Sequence, residues 1–529
     1  MLHTLKAGRG MVVAPHNLAA QSGLAILWEG GNAVEAVVAA AATIAHTYPH
    51  MNSIGGDGFW VIAEPGKAPL GIDACGPAAM AASVDFYRSH NLTEIPARGP
   101  LAALTVAGTV SGWAKALEIS AKWGKPLPLS RLLASAIDYA ENGAPVTDSF
   151  RQMISEKREE LEEVPGFKAA FLRGGTWQSD GTLKNQALAK MLRQLCEAGL
   201  DDFYRGEVAR SVAGDLEAAG SPLRLDDLEN HQAQVVTPLS VRLRHAEVFN
   251  MPPPTQGIAS LLILALYDRM AARDADGFDY VHRLVECTKA AFRVRDLAAV
   301  DPRDAPAPAS NYLTDEFVAE LASGIDLKRA RPWPEPKTHP GDTIWMGAID
   351  GEGRAVSFIQ STYWEFGSGV VLPQTGVNWQ NRGASFSLDP SAPNALAAGR
   401  KPFHTLNPAL ARLDDGRVMV YGTMGGDGQP QTQAAVFTRY AYYGYDLQPA
   451  ITAPRWLLGR TWGSRSITLK LEKRFPLAVE KRLLQAGHIV ERVQEFSSLM
   501  GHAGAVVVDR NAVISGACDP RSDGAAAGF

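Results

Sequence analysis

The feature that most constrains the fold is a change of pattern at a proline-rich stretch, RARPWPEPKTHPGD, from Arg329 to Asp342. Proline fixes φ and lacks the backbone N–H, so this stretch is predicted to be an extended linker. The sequence before it is mostly helical in period, whereas the sequence after it reads as strand–turn–strand units. The linker therefore meets a predicted strand, TIWMGAID, directly at Thr343.

Before the linker, the pattern predicts an opening strand, GMVVAP, and then two helices. The first helix is expected from about Asn17 to Trp28, ended by a glycine pair, and Asn32 is expected to cap the second. A glycine cluster with a strand, GGDGFWVIA, and a hairpin partner, PLGIDACGP, follow. From about Gly108 to Val300 the spacing is mainly that of helices.

After the linker, the predicted strands are TIWMGAID, RAVSFIQSTYW, GVVLP, PALARL, RVMVYGTMGG, GAVVVD and VISGACD. Two helices, QTQAAVFTRYAYYGY and PLAVEKRLLQAG, lie among them. The distribution predicts sheets flanked by helices, with strands contributed from both sides of the linker.

Composition excludes several classes of function. Acidic residues number 56 against 51 basic ones, for a net charge of −5, so neither a nucleic acid nor an anionic membrane is expected as partner. The N-terminus lacks the pattern of a secretory signal, and four cysteines without a CxxC favour reduced thiols in a cytoplasm. The histidines show no metal-binding spacing, so no metal and no cofactor are predicted.

Thr343 is open to two interpretations on the residues alone. Threonine is common in strands, which favours an ordinary structural role. If the Asp342–Thr343 bond is cut, however, the new α-amine has an unperturbed pKa of about 7.7–8.0 and can act as a base for the threonine hydroxyl. Gly425 and Gly426, after the strand RVMVYG, are similarly either a tight turn or a pair of N–H donors for an oxyanion.

A series of segments resembles, in the same order, the gamma-glutamyltranspeptidase family: GMVVAP, GLAILWEGGNAVEAVVAAA, GGDGFWVI, MPPPTQG, DTIWMGAIDGEGRAVSF, KPFHTLNPALARLDDGR, GTMGGDG and GACDPRSDGAAAGF. The resemblance implies an N-terminal-nucleophile hydrolase with a four-layer αββα sandwich. It also implies self-cleavage between Asp342 and Thr343, which gives a large subunit, 1–342, and a small subunit, 343–529.

The resemblance also assigns the reaction machinery. Thr343 aligns with the nucleophile, and Ser361 takes the place of the threonine whose hydroxyl supports it. Gly425 and Gly426 match the oxyanion-hole pair, and Gln380 is a candidate substrate contact in the loop GVNWQNRGASF.

The substrate contacts depart from those of family members that act on glutathione. Cys75 replaces their arginine for the glutamyl carboxylate, and Arg382 lies where their aspartate for the α-amine is expected. His404 and Thr405 replace a serine pair, and Tyr363 replaces an asparagine. These five positions are therefore predicted to shape a different substrate site.

The expected function is that of a self-processing hydrolase acting on the amide bond of a small carboxylate-bearing substrate, of the oxamate type. Arg382 would pair with the substrate carboxylate. The alternative is a gamma-glutamyl hydrolase or transferase with altered contacts. A dimer of the processed heterodimers is a further expectation.

Overall fold

The computed structural model describes residues 3–172, 181–333, 341–459 and 466–529. Part of the predicted linker, residues 334–340, lies outside the described residues, and so does the prediction that it is extended there.

The helices are α1 (Asn17–Trp28), α2 (Ala33–Thr47), α3 (Val84–Ser89), α4 (Thr109–Ser120), α5 (Leu129–Leu132), α6 (Ala134–Asn142), α7 (Asp148–Leu161), α8 (Phe167–Phe171), α9 (Gln186–Ala198), α10 (Asp202–Arg205), α11 (Glu207–Ala219), α12 (Leu225–Glu229), α13 (Gly257–Arg269), α14 (Phe278–Ala298), α15 (Asp315–Ser323), α16 (Gly428–Ala441), α17 (Leu447–Thr452) and α18 (Leu477–Gln485).

The strands are β1 (Leu5–Ala7), β2 (Gly10–Ala14), β3 (Asp57–Ala63), β4 (Leu70–Asp73), β5 (Ala144–Pro145), β6 (Thr182–Leu183), β7 (Gln234–Val236), β8 (Leu239–Arg242), β9 (Ala246–Asn250), β10 (Asp342–Asp350), β11 (Ala355–Tyr363), β12 (Ala409–Leu413), β13 (Val418–Thr423), β14 (Trp456–Leu458), β15 (Leu469–Glu472), β16 (Val490–Val493), β17 (Ala503–Val508), β18 (Ile514–Cys518) and β19 (Ala525–Gly528).

Two seven-stranded antiparallel sheets form the centre of the molecule. The first sheet has the order β19-β2-β10-β11-β3-β4-β7, and the second has the order β1-β18-β17-β13-β12-β9-β8. In the first sheet, β10 and β11 from beyond the linker lie between β2 and β3 from before it. The prediction that both halves contribute strands is confirmed.

Three apolar cores hold four layers together. One core lies between the sheets and contains side chains of both, including Trp345 of the first sheet and Val506 of the second. A second core packs α1, α2 and α4 on the outer face of the first sheet. A third packs α13, α14 and α16 on the outer face of the second sheet. The predicted αββα sandwich is confirmed.

The local predictions hold where capping and pairing chemistry is strong. The Asn32 side chain accepts the N–H groups of Val34 and Glu35, and the Glu35 carboxylate accepts the Asn32 N–H. Helix α2 therefore begins with a full capping box. β10 and β11 pair as an antiparallel hairpin, as their sequences predict.

The prediction of a strand at GVVLP is wrong. Among the described residues, this segment makes only an isolated bridge between Val371 and Asn378. Gly369 has a φ of 77°, and the Val371 N–H donates to the carbonyl of Pro165, in the turn between α7 and α8. The backbone hydrogen-bonding groups of this segment are therefore used in loop contacts and are not available for pairing in a sheet.

None of the described helices combines the length and the apolar composition needed to cross a bilayer.

Candidate active site

Thr343 lies in β10 with its side chain fully buried against the neighbouring strand. Its Oγ1 lies 3.3 Å from the Oγ of Ser361, on β11, and Gln429 Nε2 lies 3.4 Å from the same Oγ1. Ser361 Oγ also accepts the Tyr363 N–H at 2.8 Å, which fixes its orientation. The two hydroxyls that the family resemblance pairs are thus adjacent.

The backbone around Thr343 is irregular. The pairing of β10 with β11 shifts register between Asp342 and Ile344, so Thr343 occupies a bulge. Tyr363, the partner of Asp342, has a φ of 85°, a conformation that costs a non-glycine residue about 1–3 kcal/mol. Strain of this kind directly opposite the Asp342–Thr343 bond is typical of a functional site.

Gly425 and Gly426 form the turn between β13 and α16. Their φ values are 125° and 50°, in the region where an L side chain is strained, which explains why both are glycine. Gln256 holds the turn, because its Nε2 donates to the carbonyl of Gly426 at 2.8 Å and to that of Thr405 at 2.7 Å.

A buried ion pair supports Gln256 in turn. Arg295, on α14, donates to Gln256 Oε1 at 3.2 Å and forms an ion pair with Asp427 at 2.9 Å. Asp427 directly precedes α16, so this network joins the turn to the helix that follows it. The glycine turn is consequently fixed by side chains from before and after the linker.

Arg382 is fully buried in the short 3-10 turn Arg382–Ser385. Its Nη1 lies 3.3 Å from Thr405 Oγ1, and its guanidinium stacks over the Tyr363 ring at 4.0 Å. Its Nε and Nη2 have no hydrogen-bond partner, and no described carboxylate lies within 4 Å. Burial lowers the pKa of Arg382 to about 10, so it is still a cation near neutral pH. A buried cation with free donors is suited to an anionic ligand.

Asp57 and His404 face the same region. His404 Nε2 lies 3.1 Å from Asp57 Oδ2, out of line for a hydrogen bond, and both groups are fully buried. Burial raises the pKa of Asp57 to about 7 and lowers the pKa of His404 well below its usual value. Gln380 is also buried, and its Nε2 donates to the carbonyl of Val106 at 2.8 Å.

Cys75 is not placed to act as a nucleophile. Its backbone N–H donates to Asp73, and burial together with that carboxylate raises the pKa of its thiol well above the usual value. The Asp73 carboxylate pairs instead with Lys401 at 2.7 Å.

One cluster of possible metal ligands lies away from these residues. His282 Nδ1 lies 2.8 Å from His488 Nε2, and Glu286 completes the group. Glu286 already accepts from Lys289 Nζ at 2.7 Å and from the Arg331 N–H at 3.1 Å. The Lys289 ammonium neutralises the Glu286 carboxylate. We therefore interpret the cluster as structural: it holds the backbone of Arg331, near the start of the linker.

The structure brings six of the predicted site residues into one connected group, whereas the side chains of Gln380 and His404 make none of its hydrogen bonds. Thr343 contacts Ser361, Ser361 contacts the backbone of Tyr363, and the ring of Tyr363 stacks on Arg382. Arg382 Nη1 contacts the Thr405 hydroxyl, and the carbonyls of Thr405 and Gly426 both accept from the Gln256 side-chain amide.

The sequence does not point to four further residues around this group: Asp57, Gln256, Arg295 and Gln429. GGDG indicates a turn, and the one signal for Asp57 is an acid placed directly before an apolar strand. Gln256 follows a proline-rich turn and Gln429 follows the glycine pair, but neither spacing is diagnostic without the fold.

Comparisons with known proteins give a consistent result. The gamma-glutamyltranspeptidase family profile matches residues 19–529. The chain is 55% identical to an oxamate amidohydrolase proenzyme of Klebsiella pneumoniae, over 98% of both chains. It is 38% identical to the glutathione hydrolase-like YwrD proenzyme of Bacillus subtilis, again over 98% of both. The crystal structure of a cephalosporin acylase from Bacillus halodurans superposes with a TM-score of 0.91 at 31% identity, covering 100% of this chain and 97% of that one.

The profile match, the full-length relatives and the shared architecture agree with the geometry around Thr343, and the chain belongs to the gamma-glutamyltranspeptidase family.

Proposed function

We propose that this chain is a proenzyme that cuts itself between Asp342 and Thr343 and then hydrolyses amide bonds with Thr343 as its nucleophile. The products of the cut are a large subunit, 1–342, and a small subunit, 343–529. The proenzyme names of the two full-length relatives support processing into two subunits. The bulge at Thr343 and its contact with Ser361 support this position for the cut.

In the first step, Thr343 Oγ1 attacks the carbonyl carbon of Asp342. The peptide C–N bond breaks, the hydroxyl proton passes to the Thr343 nitrogen, and an ester joins the two halves. Water then hydrolyses the ester, which leaves a carboxylate on Asp342 and a free hydroxyl and amine on Thr343. The positive φ of Tyr363, opposite the bond, supports the proposal that this part of the hairpin is a functional site.

In turnover, the Thr343 amine accepts the hydroxyl proton as the oxygen attacks the substrate amide. The N–H groups of Gly425 and Gly426 stabilise the oxyanion, a contribution worth about 10²–10³ in rate per donor in comparable sites. The protonated amine then supplies the proton for the leaving nitrogen. Water finally releases the acyl group from Thr343.

For the substrate, we propose a small amide that carries a carboxylate, of the oxamate type. The observation that carries this choice is the buried Arg382 guanidinium, whose Nε and Nη2 have no protein partner. A carboxylate can accept from two adjacent guanidinium donors, and the absence of an α-amine in such a substrate suits a cation at this position. The name of the Klebsiella pneumoniae relative agrees with it. Oxamate would give ammonia and oxalate.

The alternative is a gamma-glutamyl hydrolase or transferase. The name of the Bacillus subtilis relative favours it. Against it, Cys75 stands in place of an arginine, and its buried thiol offers no charge to a glutamyl carboxylate. We also propose a cytoplasmic location, supported by four free cysteines, and an assembly of two processed heterodimers.

Rates of product release from the two substrate classes test the choice. The purified, processed enzyme is expected to release ammonia from oxamate with a kcat/KM at least tenfold above that for glutamate release from a gamma-glutamyl anilide. Thr343→Ala is the inactive control. A preference for the glutamyl compound would overturn the substrate proposal while leaving Thr343 as the nucleophile.

A further inference from the structure

Asp57 lies on β3, directly opposite one of the two hydroxyl residues of the proposed reaction centre. It is the register partner of Ser361 in the pairing of β3 with β11, and Ser361 Oγ lies 3.3 Å from Thr343 Oγ1. Residues directly opposite in an antiparallel pair place their side chains on the same face of the sheet. The carboxyl group of Asp57 therefore belongs to the same face of the first sheet as the nucleophile pair.

The backbone holds Asp57 by one of its two oxygens. Oδ1 accepts the N–H groups of Gly76 at 3.0 Å and Gly108 at 3.1 Å. Oδ2 is buried without a hydrogen bond, although His404 Nε2 lies 3.1 Å away. A buried oxygen that lacks a donor is costly when it is charged, and adding a proton to it removes most of that penalty.

The charge that favours an ionised Asp57 is that of Arg382. The two groups interact electrostatically but are not in contact, since no ion pair within 4 Å joins them among the described residues. Arg382 keeps two donors free for a ligand. A substrate carboxylate on those donors would place a second anion in the same buried region and would cancel the cation's effect on Asp57.

We propose that Asp57 is a positioning residue that takes up one proton when a substrate carboxylate binds Arg382, so that substrate binding and protonation of Asp57 are coupled. This inference rests on the proposed function. Two like charges in one buried site cannot both remain ionised, and Asp57 is the one able to accept a proton. The protonated form leaves the full positive charge of Arg382 available to the substrate.

The other titratable or charged groups around Asp57 are His404, Cys75, Tyr204, Lys401 and Asp73. Burial lowers the pKa of the histidine and raises the pKa values of the thiol and the phenol, so all three are neutral near pH 7. The lysine ammonium is already paired with the neighbouring aspartate at 2.7 Å. Asp57 is therefore the group of this set that changes charge in the working range of pH.

The sign of the pH dependence follows from the pKa of Asp57, which burial raises to about 7 in the empty site. Below that pH, Asp57 is already protonated, and the substrate meets an uncompensated cation. Above it, each bound substrate must bring a proton, so kcat/KM falls by up to tenfold per pH unit. The Thr343 amine acts in the opposite direction, because it must lose its proton at about pH 7.7–8.0.

The test is the pH profile of oxamate hydrolysis by the processed enzyme and by Asp57→Asn, which resembles the protonated carboxyl in shape and charge. For the wild type, a plot of kcat/KM against pH is expected to be bell-shaped. A plot of kcat should show only the acid limb, the rise in rate as the Thr343 amine loses its proton. Asp57→Asn is expected to lose the alkaline limb of kcat/KM and to keep the acid limb. The matched control is Asp350→Asn, a buried carboxyl in β10 whose pKa burial also raises, and it should keep the bell.

The outcomes separate the two proposals. An enzyme that processes itself but releases no ammonia from oxamate contradicts the proposed substrate. An active enzyme whose Asp57→Asn variant keeps the alkaline limb contradicts the role of Asp57 and leaves the substrate standing. If Asp57→Asn does not fold, the wild type decides the question: a KM that rises above about pH 7 by up to tenfold per unit supports the coupling, and a KM that is flat from pH 6 to 9 overturns it.

Discussion

Arg382 is the residue on which the proposed substrate choice depends most directly. Its guanidinium is held from below by the Tyr363 ring and on one side by Thr405, and its remaining donors are free. Such support fixes the direction of the fork before a substrate arrives, which reduces the entropy lost on binding.

Two substitutions of Arg382 should separate charge from geometry. Arg382→Met removes the cation, and KM for oxamate is expected to rise by about thirtyfold or more, since loss of one partner of a buried charged pair costs about 2–5 kcal/mol. Arg382→Lys keeps the charge but loses the fork, so its KM should lie between the two. Steady-state kinetics measure both, with the exposed Arg210→Met as control. An unchanged KM in Arg382→Met would remove this residue from the substrate site.

At the residue scale, the sequence predicts the reacting groups better than their surroundings. Thr343, Ser361 and the glycine pair stand in recognisable segments. The structure places Thr343 beside Ser361, and Gln429, which follows the glycine pair, contacts Thr343. Asp57 has no such pattern, because the N–H groups of Gly76 and Gly108 that bind its carboxyl group approach it only in the folded chain. Contacts between distant segments leave no local pattern to read.

At the scale of elements, the position of β10 depends on one aromatic side chain. Trp345 lies between the two sheets, and its indole N–H donates to Ser357 at 3.0 Å. Three glycines, Gly347, Gly422 and Gly504, make room for its ring. Because Trp345 is two residues from Thr343, this packing helps to fix the position of the proposed nucleophile between the sheets.

Adding a methyl group at one of these glycines should therefore disturb the sheet packing. A Cβ at Gly422 would lie 2.1 Å from Trp345 Cδ1, so Gly422→Ala is expected to destabilise the fold by about 1–3 kcal/mol. Thermal unfolding in a Thr343→Ala background, which is expected to stay uncut, measures the shift without interference from processing. Gly214→Ala is the matched control, since a Cβ there meets nothing within 4 Å in α11, and it should leave the melting temperature equal or slightly higher. Equal melting temperatures for the two variants would contradict the role given to Trp345.

Elements with strong local chemistry were predictable, whereas the order in which they pair was not. The capping box at Asn32 and the glycine turn between β10 and β11 fix those elements locally. GVVLP has the composition of a strand, but tertiary contacts with the turn around Pro165 override it. Likewise, nothing local places β10 beside β2, from the opposite end of the chain.

At the scale of the whole molecule, the position of the cut is compatible with a stable product. β10 pairs with β2 on one side, and β11 pairs with β3 on the other, so backbone hydrogen bonds join the proposed subunits inside one sheet. The inter-sheet core also contains side chains from both subunits. The proposed cleavage of one bond at the end of β10 is therefore expected to leave the four layers in place.

The central claim is that the chain cuts itself before Thr343, and the mass of the purified protein tests it most directly. The 529-residue chain has a mass of 56.7 kDa, and a cut after residue 342 leaves 187 residues (529 − 342 = 187) in the small subunit. Intact-mass spectrometry under denaturing conditions is expected to find two fragments, the smaller beginning with Thr343, whereas Thr343→Ala remains one full-length chain. A wild-type chain that stays whole after prolonged incubation, or a Thr343→Ala chain that is cut at the same bond, would contradict it.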